Sequence, residues 1–318
     1  MMRAWPRRTA FVLVLVLLYA ATYYAAERTL VYGAEHNDNR FYRVRTLPYP
    51  SYDYVVLGSS HALPFDFGGM NEELERRSES RIVNLASAGG GVVPNRLLMD
   101  YFLQKAGTRN VLYVVDSFAF YSSEWNEGRL NDSELYAQAP FDPTLLRLFT
   151  DYVVSGQMGP SAALDYLSGF SKINNPHDRA STIAALEGWF DRTYKPSDRE
   201  RSRRIDRLYL DGTDTETRDR YLDMFVDWIR SLQERNVEVV VLKTPIPEVF
   251  YAVLPDEAEF DEVLAARLVD VGAAFYNFSQ VNNDPSYFFD TDHLNRTGME
   301  AFLANYLAEV LITHRLND

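Results

Sequence analysis

Cysteine is absent from this chain of 318 residues. Its absence excludes disulfide bonds, thiolate metal sites and catalysis by a cysteine nucleophile. Histidine is scarce, and the five present are His36, His61, His177, His293 and His314. They show no His-x-x-x-His or comparable ligand spacing, so we expect no metal site and no other cofactor.

Positive charge is also in short supply. The chain has 32 lysines and arginines against 45 aspartates and glutamates, which gives a net charge of −13. A general nucleic-acid binder needs a broad basic surface to neutralise phosphates, so this balance argues against that class. Hydrophobic residues make up 47% of the chain. That fraction is ample for a folded core and excludes a disordered protein.

One long run without charge lies near the N-terminus, at residues 10–26. As a helix it would be about 25 Å long, near the lower limit for crossing a bilayer. Three arginines precede it: Arg3, Arg7 and Arg8. The positive-inside rule then predicts a cytoplasmic segment at residues 1–9 and places everything after Glu27 outside the cytoplasm, in the periplasm or the extracellular space. A cleaved signal peptide is the alternative, but no Ala-x-Ala site ends the run, which favours an uncleaved anchor.

The chain after the anchor divides into a linker and a folded domain. Residues 27–51 have the aromatics and prolines of a linker, and residues 52–318 have the pattern of a folded domain. Short apolar runs predict five buried strands, at residues 54–57, 82–86, 111–115, 237–242 and 273–278. Apolar residues at helical spacing predict helices at residues 94–105, 218–235, 257–271 and 298–313.

This alternation of strands and helices predicts an α/β fold with a mostly parallel, three-layer α/β/α sheet. Ligands of such sheets bind beyond the carboxyl ends of the strands. Residues 118–214 interrupt the pattern and carry helical periodicity at 143–153, 161–170 and 181–190, so we interpret this stretch as a helical insertion near the site. Its basic run, residues 192–207, is typical of a solvated helix face rather than an anionic-ligand groove.

Two short motifs carry the chemistry, and each follows an apolar run. The first is Gly58-Ser59-Ser60-His61, and the second, near the end of the chain, is Asp290-Thr291-Asp292-His293. Serine, histidine and carboxylate can assemble in space from distant parts of a chain, and an aspartate three residues before a histidine can fix its tautomer. Alone, each motif is also compatible with an ordinary turn or helix cap.

Together the motifs resemble those of the SGNH or GDSL hydrolase superfamily, over residues 52–318 apart from the insertion. The matching blocks are Gly58-Ser59-Ser60, Asn84-Leu85-Ala86-Ser87-Ala88-Gly89 and Asp290-x-x-His293 followed by Leu294-Asn295. The resemblance implies a flavodoxin-like fold, with Ser60 as nucleophile and Asp290 orienting His293 as general base. It also implies that the backbone N–H groups of Ser60 and Gly89 form the oxyanion hole.

The third block of the family departs from the pattern here. Where the family has an asparagine that completes the oxyanion hole, this chain reads Val115-Asp116-Ser117-Phe118. Loss of one such donor lowers the rate by about 100-fold or more. Ser117 is the candidate for a replacement third donor.

Two neighbours of the motif residues are rival candidates. His61 is the alternative base, and Asp292 is the alternative carboxylate. Side chains of adjacent residues diverge on an extended chain, so we expect both to point away from the site. Thr297-Gly298-Met299-Glu300 predicts a capping box at the start of the last helix.

The anchor, the Gly-Ser-Ser variant, the missing asparagine and the insertion together resemble the membrane-anchored SGNH-like proteins of D-alanyl transfer and alginate O-acetylation. That resemblance implies a serine O-acyltransferase or acylesterase acting on a cell-envelope or secreted polysaccharide through an acyl-Ser60 intermediate. Its partners would be an acyl donor, a polysaccharide acceptor and a membrane-bound O-acyltransferase. Two alternatives stay open: a non-catalytic partner of such an acyltransferase, and a lipid esterase at the membrane surface.

Overall fold

A computed structural model describes residues 5–34, 37–174 and 182–316. Arg3, His36 and His177 lie outside the described residues. The described parts of residues 1–46 and 130–179 form one compact unit, and those of 47–129 and 180–318 form a second. The stretch predicted as an insertion, residues 118–214, is therefore divided between the two units.

The second unit contains a five-stranded sheet. Its strands are Ser51–Gly58 (β1), Ile82–Asn84 (β2), Gly107–Val114 (β3), Glu238–Lys243 (β4) and Ala274–Asn277 (β5). The order is β2-β1-β3-β4-β5, and every neighbouring pair is parallel. The predicted α/β class and the five predicted strands are confirmed, and the sheet is wholly rather than mostly parallel. This order belongs to the doubly wound sheets, whose ligand crevices lie beyond the carboxyl ends of the strands.

Successive strand residues pack on opposite faces of this sheet. Val56, Leu112 and other alternate residues join one apolar cluster that includes Phe302 of the terminal helix. On the other face the ring of Tyr113 lies 4.7 Å from that of Phe225. Side chains of alternating direction therefore meet helices on both faces, which gives the three layers that the sequence predicts.

The main helices of this unit include counterparts of the predicted helices at residues 94–105, 218–235, 257–271 and 298–313, and others, such as Met70–Ser78, that were not predicted. They are Met70–Ser78, Val92–Phe102, Thr182–Glu187, Asp198–Leu208, Thr215–Gln233, Glu257–Asp270, Arg296–Phe302 and Ala308–Leu316, with a π-type turn at Leu303–Leu307 joining the last two. Shorter helical segments are Ser60–Gly69, Phe118–Tyr121, Glu124–Gly128, Glu248–Tyr251 and Pro285–Tyr287.

The predicted capping box at residues 297–300 is wrong. The helix begins earlier, at Arg296, and its cap is Asn295, whose side-chain oxygen accepts from the backbone N–H of Gly298 at 2.9 Å. Asn295 has extended backbone, and its short amide reaches the third helical N–H, as an N-cap does.

The first unit contains the apolar N-terminal helix, Trp5–Ala26, which continues through a π-type turn at Glu27–Val31. Residues Arg8–Val31 are long and apolar enough to cross a membrane. The unit also contains Pro143–Val154, Pro160–Ser168 and Phe170–Asn174, and a short helical turn at Ser133–Leu135.

The segment at residues 27–51, predicted as a linker, contains a packed element. It is the helix Arg40–Arg45, capped by Asn39, with Phe41 and Val44 buried. The ring of Phe41 lies 6.1 Å from that of Phe149. Phe41 and Val44 are thus part of the apolar core of the first unit. The expectation that this segment is an unpacked linker is therefore wrong.

Gly58, the last residue of β1, provides a test of the strand end. Its φ is +138°, and a β-carbon there would lie 2.5 Å from the carbonyl oxygen of Val114 on β3. We expect Gly58→Ala to lower the free energy of unfolding by about 2 kcal/mol or more, because it combines backbone strain with a clash. Thermal and denaturant unfolding of the full chain in detergent would measure this.

The matched control is Gly107→Ala at the start of β3, where a β-carbon would meet nothing within 4 Å. It should leave stability unchanged or slightly raised. Equal effects of the two substitutions would contradict a special constraint at Gly58.

Candidate active site

Ser60 lies at the carboxyl end of β1, at the sheet edge where the fold places ligands. The strand ends at Gly58, Ser59 is still extended, and Ser60 is the first residue of the short helical segment that follows. Ser60 is 8% exposed. The turn from strand to helix therefore holds the hydroxyl near the surface of the sheet edge.

The structure brings the three predicted catalytic residues together. The Nε2 atom of His293 lies 2.8 Å from the Oγ atom of Ser60. On the other side of the ring, Nδ1 lies 2.9 Å from both carboxylate oxygens of Asp290. A neutral imidazole that donates from Nδ1 to Asp290 can accept the serine proton at Nε2, which is the arrangement of a serine nucleophile with its base.

The loop that carries His293 is held in place by backbone hydrogen bonds. Asp290 accepts from the backbone N–H of His293 at 2.9 Å. Asn295, besides capping the terminal helix, donates to the carbonyl groups of Ser286 and Phe288 at 2.8 and 3.2 Å. The ring of Phe289 stacks on the imidazole with centroids 5.4 Å apart. The imidazole of His293 is thus positioned by contacts of this loop rather than by the helix cap predicted at residues 297–300.

The two predicted oxyanion donors lie in neighbouring loops. Ser87, in the loop after β2, donates its backbone N–H to the carbonyl of Gly58 at 3.2 Å. Gly89 follows in the same loop with a φ of +67°, and a β-carbon there would lie 2.7 Å from the ring of Trp125. Glycine is required at this position both by backbone angle and by space. The roles of the Ser60 and Gly89 N–H groups in an oxyanion hole stay a prediction.

Ser117, the predicted replacement for the third donor, does not serve the site. Its hydroxyl donates to the carboxylate of Glu257 and lies 2.8 Å from the hydroxyl of Tyr209. Glu257 in turn contacts the buried ammonium group of Lys243. This buried polar cluster uses the hydroxyl of Ser117, so the expectation of a third donor at this residue is corrected.

His61 lies beside the triad but does not contact Ser60. Its Nδ1 atom contacts the carboxylate of Asp116, and its Nε2 atom lies 3.1 Å from that of Asp292. Burial alone would lower the pKa of His61, but Asp116 and Asp292 outweigh burial and raise it from 6.5 to about 10. A histidine held between two carboxylates is charged at neutral pH and is a poor base. The expectation that His61 points away from the site is wrong, because its ring centroid lies 4.9 Å from that of His293.

Asp292 was expected to point away from the site, and this expectation is wrong. It is 1% exposed and accepts from the guanidinium group of Arg204 at 2.7 Å as well as from His61. One of its oxygens lies 3.5 Å from Nδ1 of His293. Burial alone would raise the pKa of Asp292, but Arg204, His293 and His61 hold it well below its usual range. The residue turns inward because the positive charges of Arg204 and His61 offset the cost of burying a carboxylate.

Asp116 is the second residue after β3, which ends at Val114. Besides contacting His61, its carboxylate accepts a hydrogen bond from the hydroxyl group of Ser59. The side chains on either side of Ser60 are therefore both bound to Asp116. This carboxylate holds the strand-to-helix turn that carries Ser60.

Three residues lie close enough to share a metal ion: His61, Asp292 and His293. Their ligand atoms are already engaged with one another, with Ser60 and with Arg204. A histidine must be deprotonated to ligate a metal, and His61 between two carboxylates retains its proton. The donor set therefore suits an internal ion-pair network better than a metal centre.

Comparison with models of known protein families finds no match, and comparison with curated proteins finds none either.

Asp116 and Arg204 were not predicted as members of the site, and neither was the contact between Ser59 and Asp116. Asp116 had a signal, because it directly follows the strand predicted at residues 111–115, at the sheet edge where ligands were expected. Arg204 had none, since the basic run around it offers several arginines that the sequence does not distinguish. The interpretation of that run as a solvated face is wrong for Arg204, whose side chain is 18% exposed and is paired with Asp292.

The charge on His61 provides a test by pH. Because its pKa is raised in the folded protein, the stability it contributes is complete below about pH 6.5 and is lost as the pH rises through about 10. We expect His61→Gln to lower stability near neutral pH by about 3 kcal/mol, because Asp116 and Asp292 lose a buried counter-ion. The difference in melting temperature between this variant and the unmodified chain should shrink toward about pH 10.

Asp116→Asn serves as the companion variant. Because it removes one of the two carboxylates that face His61, it should lower the pKa of His61. The stability that charged His61 contributes should then be lost at a lower pH than in the unmodified chain. Parallel melting curves for the unmodified chain and His61→Gln across this range would contradict the assignment of a charged His61.

Proposed function

We propose that the protein is a membrane-anchored serine O-acyltransferase or acylesterase of the SGNH type, acting on a cell-envelope or secreted polysaccharide. The observation that carries the proposal is the 2.8 Å contact between Ser60 Oγ and His293 Nε2, with Asp290 at 2.9 Å on the other ring nitrogen. Ser60, His293 and Asp290 form a chain of contacts that suits a nucleophile, its base and an orienting carboxylate. They lie at the sheet edge where doubly wound folds have their ligand sites.

In the first step, Ser60 Oγ attacks the carbonyl carbon of an acyl ester as His293 Nε2 takes the hydroxyl proton. The tetrahedral intermediate then collapses, the bond to the leaving oxygen breaks, and His293 returns the proton to that oxygen. The product is an acyl ester on Ser60. Backbone N–H groups of Ser60 and Gly89 stabilise the oxyanion.

In the second step, a sugar hydroxyl or water attacks the acyl-Ser60 carbonyl and gives its proton to His293. Collapse then returns that proton to Ser60 Oγ, so the enzyme is regenerated and the acyl group resides on the acceptor. Asp290 offsets the positive charge that His293 carries in both steps. Transfer and hydrolysis differ only in which hydroxyl group reaches the intermediate.

The N-terminal helix supports the location. Residues Arg8–Val31 have the length and apolar composition of a membrane span, and Arg8 lies at its N-terminal end. The positive-inside rule then places residues 1–9 in the cytoplasm and the serine site outside it. An acyl donor for such a site must cross the membrane, which is the task of a membrane-bound O-acyltransferase.

A non-catalytic partner of that acyltransferase is the second candidate, and one observation favours it. Ser117 is bound to Glu257, so no side chain proposed as the third oxyanion donor faces the site. A site with only two backbone donors would be slower by about 100-fold or more than one with three.

The test uses the full chain in detergent with a short-chain aryl ester, and mass spectrometry of Ser60. We expect an acyl adduct on Ser60 and turnover, with Ser60→Ala and His293→Ala lowering turnover by about 10⁴-fold or more because each removes a group that acts in both steps. Asp290→Asn should be more damaging than Asp292→Asn to the rate, whereas Asp292→Asn should be more damaging to the melting temperature.

Ser59→Ala is the matched control, since its hydroxyl serves Asp116 rather than the substrate. It should stay within about tenfold of the unmodified rate, as expected for one lost hydrogen bond. Absence of both adduct and turnover in a well-folded chain would contradict the proposal of a serine enzyme and favour a non-catalytic partner. A preference for long-chain esters would instead point to a lipid esterase.

A further inference from the structure

The helix Asp198–Leu208 lies against two loops of the candidate site but has little apolar surface of its own to hold it there. Leu208 is the one buried residue among its 11 residues. A surface helix usually gains its position by burying an apolar stripe, and this helix lacks one. Its position therefore depends largely on a few specific polar contacts.

The first of these contacts reaches the loop that carries His293, residues 290–295 (the histidine loop). The Nε and Nη2 atoms of Arg204 lie 2.8 and 2.7 Å from one carboxylate oxygen of Asp292. The other oxygen of Asp292 lies 3.5 Å from Nδ1 of His293. Asp292 is buried, so its charge requires cations, and the helix provides one of them. The helix is thus bound to the histidine loop at a side chain next to the proposed base.

The second contact reaches the loop after β2, residues 87–91 (the glycine loop). The indole Nε1–H of Trp125 donates to the carbonyl of Leu208, the last residue of the helix, at 2.9 Å. The ring of Trp125 packs against Gly89, since a β-carbon there would lie 2.7 Å from it. The backbone carbonyl of Trp125 also accepts from the N–H of Gly91 at 2.8 Å. Trp125 therefore connects the end of the helix to the loop that contains a predicted oxyanion donor.

The two contacts are separated by one helical turn. Arg204 and Leu208 are four residues apart, which is about 6 Å along a helix axis. The backbone hydrogen bonds of an intact helix hold this separation constant. The helix therefore forms a rigid connection between the histidine loop and the glycine loop.

The chain is also held on both sides of the helix. Before it, the backbone N–H of Tyr194 donates to the carbonyl of Phe288 at 2.7 Å. After it, Tyr209 is buried, with its hydroxyl 2.8 Å from that of Ser117. A break inside the helix would therefore uncouple its two contacts without releasing the chain on either side.

We propose that the helix Asp198–Leu208 positions the base and the oxyanion donors relative to each other, with Arg204 and Trp125 as the positioning residues. Arg204 acts through Asp292, and Trp125 acts through Gly89. The effect on rate rests on the proposed serine chemistry, whereas the coupling of the two loops does not. A misplacement of about 1 Å between catalytic groups lowers a rate by about 100-fold, so a helix outside the reaction can still set the rate.

The simpler alternative is that Arg204 serves only as a counter-ion of Asp292, so that the rest of the helix is dispensable for the site. Asp206 distinguishes the two, because it is exposed and lies between Arg204 and Leu208. Proline at this position removes a backbone hydrogen bond and breaks the helix before it. Alanine at the same position favours the helix and is the matched control.

The coupling is measured by hydrogen–deuterium exchange of the full chain in detergent. Both loops contain hydrogen-bonded backbone N–H groups, among them those of Gly91 and His293. We expect Asp206→Pro to raise exchange in both loops by at least about tenfold, because the broken helix cannot hold both contacts at once. Asp206→Ala should exchange as the unmodified chain does. Exchange that rises in neither loop, or in only one of them, would overturn the proposal.

The effect on rate is measured with the short-chain aryl ester. We expect Asp206→Pro and Trp125→Phe each to lower kcat by about 10- to 100-fold with little change in KM, because the catalytic groups are misplaced while the small ester binds as before. Trp125→Phe keeps a ring against Gly89 and removes only the hydrogen bond to the helix. It therefore supplies the test if the melting temperature shows that the proline variant does not fold.

Two further comparisons separate positioning from a general loss of stability. Arg204→Lys should recover most of the rate that Arg204→Met loses, because lysine keeps the charge that faces Asp292. Adding Trp125→Phe to Asp206→Pro should lower kcat by less than about twofold more, since both changes release the same helix.

Two outcomes of the rate measurement would overturn the proposal. One is a rate that falls in Arg204→Met but stays at the unmodified value in folded Asp206→Pro, which would leave Arg204 as a counter-ion alone. The other is a double variant whose loss is the product of the two single losses. Absence of turnover by the unmodified chain would instead contradict the serine chemistry, and the exchange measurement would still decide the coupling of the loops.

Discussion

Asp292 is 1% exposed, and a carboxylate at that depth is stable only because Arg204 and His61 face it. The same carboxylate lies beside His293, so its charge reaches both histidines of the site. Removing either cation would leave a buried negative charge, and the loop from Asp290 to His293 would have to open to hydrate it. The position of His293 therefore depends on Asp292, although Asp292 does not contact Ser60 in this arrangement.

The sheet supplies the other constraint. Parallel pairing of β1 with β3 brings the residues after both strands to one edge, so Ser59 and His61 contact Asp116 although more than fifty residues separate them. Gly58 allows this approach, because a side chain there would meet the backbone of Val114. The arrangement of charges at the edge follows from strand order rather than from local sequence.

Elements with a strong local signal could be predicted, and contacts across the fold could not. The five strands are apolar runs of β-branched and aromatic residues, and Ser60, Asp290 and His293 stand in short motifs with fixed spacing. His61 and Asp292 were expected to diverge from their neighbours as on an extended chain. Ser60 instead begins a helical segment, and Arg204 turns Asp292 inward. Which arginine of a basic helix does so depends on tertiary packing, which no periodicity encodes.

The two histidines of the site differ in the groups that contact their ring nitrogens. Both ring nitrogens of His61 face carboxylates, so adding a proton satisfies both partners and losing it leaves one unpaired. His293 has carboxylates on one side only and the hydroxyl of Ser60 on the other. In the proposed reaction, a proton on Nε2 comes from the serine hydroxyl and is returned to a reacting oxygen. His61 is held between two carboxylates that favour its charged form, whereas His293 has one ring nitrogen facing a hydroxyl, and only the second arrangement suits the proposed base.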